Sequence, residues 1–167
     1  MMSASVTISY ESESDRDEVR ALLTAAFPTS AEADLVENLR ADGDMLLALV
    51  ARDASRIAGY IAFSQMRAPF VAVGLAPLVV RADRRNQGIA AALIDSGLSE
   101  LHALGVEAVF VLGDPAYYSR FGFDAGAATG FECVYSGPYF MIRKLTLGRL
   151  PVTSGPVAYA KAFAALE

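Results

Sequence analysis

The sequence predicts a mixed α/β fold, a sheet carrying helices on both of its sides. Three observations predict it. Apolar or alternating runs of strand length recur along the chain, segments with apolar residues at helical spacing interrupt them, and the stretch from Gly74 to Gly105 joins the two patterns directly. The 167 residues, 54% hydrophobic and 20% charged, suffice for a sizeable core, so a single domain over residues 1–167 with a tail from about residue 148 is expected.

Ser5 to Glu11 alternates, with Val6, Ile8 and Tyr10 on one side, and predicts a first strand. Ser12 or Ser14 caps a helix from about Asp15 to Phe27, with acids in its first turn and Val19, Leu22, Leu23 and Ala26 along its core-facing stripe; Pro28 ends it. Ala31 to Ala41 is a second helix, closed by the turn Asp42-Gly43-Asp44. Met45 to Arg52 and Arg56 to Met66 form an antiparallel hairpin around Asp53-Ala54-Ser55. Phe70 to Val80 continues the sheet, but Pro77 has no N–H to give, so its ladder must break there, at an edge or a bulge. Beyond Gly105, Glu107 to Leu112 is a short buried strand. Asp114 as N-cap, Pro115 in the first turn and Gly122 as stop define a two-turn helix, Pro115 to Phe121. Phe131 to Tyr135 and Phe140 to Leu147 are the last strands. Val157 to Leu166 is a short apolar helix that packs on the domain or on a second subunit of a homodimer.

The junction from Gly74 to Gly105 has its own chemistry. The apolar run Leu75 to Val80 leads through a basic turn, Arg81 to Gln87, into a helix with Ala90, Leu93, Ile94, Gly97, Leu98 and Leu101 on one face. The first turn of a helix holds unpaired N–H groups and the positive end of the helix dipole, so it attracts anions, phosphate above all. Small residues at Gly88 and Ala90 let a ligand approach the backbone, and Arg84 and Arg85 supply charge beside it. The stretch reads as a pyrophosphate cradle.

Composition excludes several other classes. A net charge of −5 argues against nucleic acid as the main partner, since that binding needs a basic surface. No apolar run approaches the roughly 18 residues of a membrane span, and the N-terminus lacks the pattern of a signal peptide, so the cytoplasm is expected. The single Cys133 and single His102 make neither an internal disulfide nor a cysteine/histidine zinc site, and no metal is expected; Cys133 reads as a small buried strand residue and His102 as a surface group.

Arg85-Asn86-Gln87-Gly88-Ile89-Ala90 resembles the Arg/Gln-x-x-Gly-x-Gly/Ala signature of the GNAT superfamily of acyl-CoA-dependent N-acetyltransferases. Tyr117-Tyr118-Ser119-Arg120-Phe121-Gly122-Phe123 resembles a second stretch of that family. Leu112-Gly113-Asp114-Pro115, the segment Glu32 to Arg40 and the segment Gly155 to Phe163 are similar to its YhbS-type bacterial branch, so the likeness spans nearly the whole chain. It implies a mostly antiparallel central sheet that splays between its fourth and fifth strands, where the pantetheine arm of coenzyme A enters. It further implies that Leu78, Val79 and Val80 on the fourth strand, with Arg84, Arg85, Asn86, Gln87, Gly88, Ile89, Ala90 and Ala91, hold the cofactor. The co-substrate is acetyl-CoA, and the acceptor is a small-molecule or peptide amine.

Transfer of an acetyl group to an amine needs a neutral nucleophile, donors for the oxyanion and a proton for the departing thiolate. By its place in the motif Tyr118 is the candidate general acid, and a backbone N–H near Leu78 or Val79 the oxyanion donor. Some family members have a glutamate on the fourth strand, whereas Gly74 to Val80 contains no titratable side chain. Proton removal is thereby left to water, to an acid such as Glu32 or Asp114, or to solvent. Asp34 and Glu37 are candidates for steering a cationic acceptor, or are a solvated helix face. The missing carboxylate also suits an alternative, a non-catalytic module that binds acyl-CoA.

Overall fold

The computed structural model describes residues 5–166. Among them the order is β1 (Thr7–Tyr10), α1 (Arg16–Ala26), α2 (Ala31–Ala41), β2 (Met45–Asp53), β3 (Arg56–Gln65), β4 (Ala72–Val80), α3 (Ile89–Ala103), β5 (Ala108–Leu112), α4 (Pro115–Tyr118), α5 (Ala125–Ala128), β6 (Phe131–Glu132), β7 (Phe140–Lys144) and β8 (Gly155–Pro156), with short 3₁₀ segments between. The main sheet runs β1-β2-β3-β4-β5-β7, and only β4 and β5 are parallel neighbours within it. This is the mixed, mostly antiparallel sheet expected.

Two clusters of buried side chains fix the layers. On one face α3 sets Leu93, Ile94 and Leu101 against Leu49, Ile61, Phe63, Val73 and Val109. On the other, Val19, Leu22 and Leu23 of α1 with Ala33 and Val36 of α2 cover Val50, Tyr60, Ala62 and Val79. The alternation of β2 and β3 supplies both faces at once, as a strand with a period of two must. Gly97 gives α3 its close seat: a Cβ there would stand 2.5 Å from a ring carbon of Phe63.

The parallel pair is short. β4 matches β5 only over Ala72, Val73 and Gly74, opposite Ala108, Val109 and Phe110. Beyond Gly74 the end of β4 stays on β3 while Val111 and Leu112 stay on β7, so the two strands part and leave a gap. The break expected at Pro77 is a bulge: Ile61 faces Leu78 and Phe63 faces Leu75, so β4 spends one more residue than β3 between these pairs.

Several boundaries differ from the sequence reading. The first helix begins as a 3₁₀ turn at Glu13–Asp15, and the helix after Asp114 is α-helical only to Tyr118 before tightening to 3₁₀ over Ser119–Phe121. The strand expected at Phe131 to Tyr135 shrinks to β6, which leaves the main sheet and pairs in parallel with β8. Cys133 consequently lies past the strand, half-buried, and Tyr135 donates its N–H to the sulfur at 3.3 Å. The tail is helical only as a 3₁₀ segment, Lys161–Leu166, because Val157 and Ala158 are drawn into backbone bonds with Glu132 and Arg67. Phe163 from this segment is buried against Leu35 and Leu39 of α2.

Asp15 ties α1 to the hairpin. It is 6% exposed, accepts from the Ser12 N–H at 2.9 Å and pairs with Arg52 at 2.8 Å. Burial alone would raise its pKa, but the Ser12 and Arg52 contacts outweigh it and hold the carboxyl below the ordinary carboxylate value. Its contribution is therefore fully present above about pH 4 and is lost as pH falls through the depressed folded-state value. Asp15→Asn is expected to cost about 2 kcal/mol at pH 7, with the gap to wild type narrowing at pH 3. Urea unfolding at both pH values checks it; an equal loss at each would show that the charge is not responsible.

Candidate active site

The gap between β4 and β5 opens beside the N-terminus of α3. A cavity of about 580 Å3 lies there, walled by Leu78, Val79 and Val80 of β4, by Arg84, Arg85 and Asn86 of the turn, and by Gly88, Ile89, Ala90 and Ala91 of the first helical turn. Ten of the residues singled out on sequence thus meet around one hollow. Gln87 is not among its walls, and its Oε1 accepts from Arg84 Nε at 3.0 Å. Tyr117 and Arg120 also line it, and the sequence reading missed them in that role. Both come from the segment after β5, and Arg120 lies over the Tyr117 ring at 4.8 Å.

The turn is shaped by two left-handed residues, Asn86 at φ 62° and Gly88 at φ 81°. Gly88 is the N-cap of α3 and no side chain caps the helix there, so the first amides are not taken up by a capping oxygen. The first helical backbone bond is from Ala92 N–H to Gly88 O, at 3.0 Å. The amides of Ile89, Ala90 and Ala91 precede that bond and, with the helix dipole behind them, present partial positive charge to the cavity.

The two arginines part company. Arg84 is tied to Asp53 of β2, which also takes Arg81 at 2.7 Å. Arg81, first, and then Arg84 hold the Asp53 carboxyl below its ordinary value. Arg84 is thus a strut of the turn, its charge largely neutralised. Arg85 is exposed and among the described residues reaches only the Val80 carbonyl, at 3.4 Å, leaving its guanidinium available to an anion.

The backbone of β4 has a definite polarity. Arg81 N–H donates to Ala58 O of β3 at 2.7 Å. Amides alternate along a strand, so Val79 also faces β3, while Leu78 and Val80 turn their N–H groups to the gap. The Val80 carbonyl bonded by Arg85 agrees with that direction.

Tyr118 is held from three sides. Asp114 caps α4 by accepting from Ala116 N–H at 2.9 Å, which fixes the backbone. The ring lies on Gly113, where a Cβ would come within 2.5 Å of it, and packs edge-on to Tyr117 and Phe123. Burial, with a smaller push from Tyr117, raises its pKa to about 12, so the phenol keeps its proton at neutral pH. Asp114 is spent as a cap, and Asp34 and Glu37 both pair with Arg20, at 3.1 and 2.7 Å. Glu32 stays in the first turn of α2. Among the described residues no cluster of three or more metal-ligating side chains is present, and no helix is long and apolar enough to cross a membrane.

Comparison with known proteins gives a consistent picture. Residues 10–133 match the model of the acetyltransferase (GNAT) domain family. The uncharacterised N-acetyltransferase YhbS of Escherichia coli K12 is 40% identical over 155 residues, covering 89% of this chain and 93% of the relative. The crystal structure of Escherichia coli YhbS in complex with CoA superposes with a TM-score of 0.90 at 39% identity, over 95% of this chain and 92% of that one. A GNAT acetyltransferase from Brucella melitensis in complex with acetyl-CoA gives 0.80 at 32% identity, over 95% and 97%.

Proposed function

Because the chain belongs to the GNAT acetyltransferases, we propose that the cavity at the head of α3 holds the diphosphate of acetyl-CoA and that the gap beside β4 takes its pantetheine arm. The protein is an acyl-CoA-dependent N-acetyltransferase, as its relatives are. One observation supports this placement above the others: the amides that open α3 have no capping side chain, lie in a cavity with the exposed Arg85, and adjoin the point where β4 and β5 part. The reading takes the chain as one domain working in the cytoplasm on a small-molecule or peptide amine.

The chemistry follows from the groups present. The acceptor nitrogen attacks the thioester carbonyl, and the Leu78 N–H, turned to the gap, donates to the oxygen as charge develops on it. The carbon–sulfur bond then breaks, and the Tyr118 phenol gives its proton to the leaving sulfur. The proton lost by the nitrogen passes to water, since β4 has no carboxylate. The phenolate recovers its proton from solvent.

The test is binding and turnover together. Titration calorimetry is expected to show saturable binding of acetyl-CoA, weakened about tenfold by Arg85→Ala through loss of one charge-assisted contact, whereas Arg84→Ala lowers the melting temperature instead. Thiol release from acetyl-CoA across a panel of amines should identify an acceptor. No affinity for acetyl-CoA would end the reading. Tight binding without thiol release for any amine would make the protein the acyl-CoA-binding module that the bare β4 also suits.

A further inference from the structure

The cavity at the head of α3 has a further wall, outside the stretch from Arg85 to Ala90. Tyr117 and Arg120 form it, from the segment that follows β5. This segment is pinned at both ends. Asp114 caps its start, and at its close Arg143 of β7 donates its Nε–H to the Phe121 carbonyl at 2.9 Å. Gly122 leaves the space for that arginine, since a Cβ there would stand 2.7 Å from its Nε.

Arg120 is exposed, yet its guanidinium is held in place. Its Nε donates to the Tyr117 carbonyl at 3.1 Å, and its Cζ lies over the Tyr117 ring, 4.8 Å from the centroid. The ring in turn packs edge-on to Tyr118 and Phe121. These contacts occupy Nε and one face of the guanidinium. Among the described residues no carboxylate pairs with Arg120 and none lines the cavity, so its terminal nitrogens keep their donors. Fixing a long exposed side chain costs rotamer freedom, and the fixed planar fork is then preorganised for a phosphate.

The charges around the cavity point the same way. Asp53 consumes Arg84, so the β4 side offers an anion the α3 amides and the Arg85 guanidinium. A diphosphate carries a negative charge on each phosphate, and Arg120 supplies the second cation. We propose that Arg120 donates a charge-assisted hydrogen bond to the diphosphate of acetyl-CoA, so that the cofactor is gripped from the segment after β5 as well as from the head of α3. This rests on the placement of the diphosphate in this cavity. Tyr117 serves the grip indirectly, as the surface on which the guanidinium lies.

The experiment is Arg120→Met, which removes the charge and keeps an apolar stem over the Tyr117 ring. Acetyl-CoA affinity is expected to fall by about tenfold, and by the same factor for acetyl-dephospho-CoA, which lacks the 3′-phosphate and keeps the diphosphate. The melting temperature of the free protein should stay near that of wild type, and the loss should shrink in 0.5 M salt. A loss confined to acetyl-CoA would make the 3′-phosphate the partner and overturn the proposal. A loss matched by a lower melting temperature and unrelieved by salt would show that Arg120 only closes its turn, and would overturn it too. Affinity equal to wild type would remove Arg120 from the site while the cofactor's place at α3 stands. If wild type itself binds no acetyl-CoA, both readings fall, and that is seen before any variant is made.

Discussion

Tyr118→Phe is expected to lower kcat by about 100-fold while acetyl-CoA affinity and melting temperature stay near those of wild type. The substitution removes one oxygen, and the ring's packing on Gly113, Tyr117 and Phe123 is kept. The leaving thiolate then has to take its proton from water. The pH profile carries the sharper signature. Since burial pushes the Tyr118 phenol up to about 12, the acid stays protonated across the working range, and no fall in rate from its ionisation appears below that value. The acceptor amine, in contrast, must lose a proton to react. Wild-type kcat/KM is therefore expected to climb with pH through the amine's own pKa and then level off, and the variant to follow the same curve at a lower plateau. Steady-state kinetics from pH 6 to 10 measure this. If Tyr118→Phe turns over at the wild-type rate, the tyrosine only packs, and the proton comes from elsewhere.

The parts of this site that were legible in the sequence are those whose geometry is local. A strand, a turn and a helix in succession place Leu78 to Val80, Asn86 and Gly88 to Ala91 within a few residues of one another, so reading the pattern is nearly reading the site. The cap at Asp114 and the stop at Gly122 are equally local, and α4 lies where they put it. What escaped depends on partners far along the chain. Arg84 and Arg85 look alike in sequence, and only Asp53, brought over on β2, consumes one and spares the other. β6 left the main sheet because β8, from the tail, pairs with it, and the same pairing kept Val157 and Ala158 out of a helix. Tyr159 and Gly74 are far apart along the chain and in contact in the fold, and no periodicity connects them.

Gly88→Asp is expected to weaken acetyl-CoA binding by about 100-fold, whereas Gly88→Asn should weaken it far less. Gly88 needs its positive φ of 81°, a conformation that among side-chain-bearing residues asparagine and aspartate tolerate best, and nothing lies within 4 Å of where a Cβ would go. Both variants are therefore expected to fold with similar modest losses of stability. They differ in charge alone. A carboxylate at the N-cap is favourable to the helix dipole and competes directly for the amides of Ile89, Ala90 and Ala91, and it repels a diphosphate held there. Two like charges about 4 Å apart at an effective dielectric near 20 repel by about 4 kcal/mol, an upper figure for a site open to solvent, and about 2.7 kcal/mol corresponds to the expected hundredfold. The loss should shrink in 0.5 M salt, because screening relieves repulsion between partly exposed charges. Calorimetric titration of both variants at low and high salt decides it. Equal affinities for the aspartate and asparagine variants would mean that the diphosphate does not rest on the head of α3, and the placement of the cofactor in this cavity would be wrong.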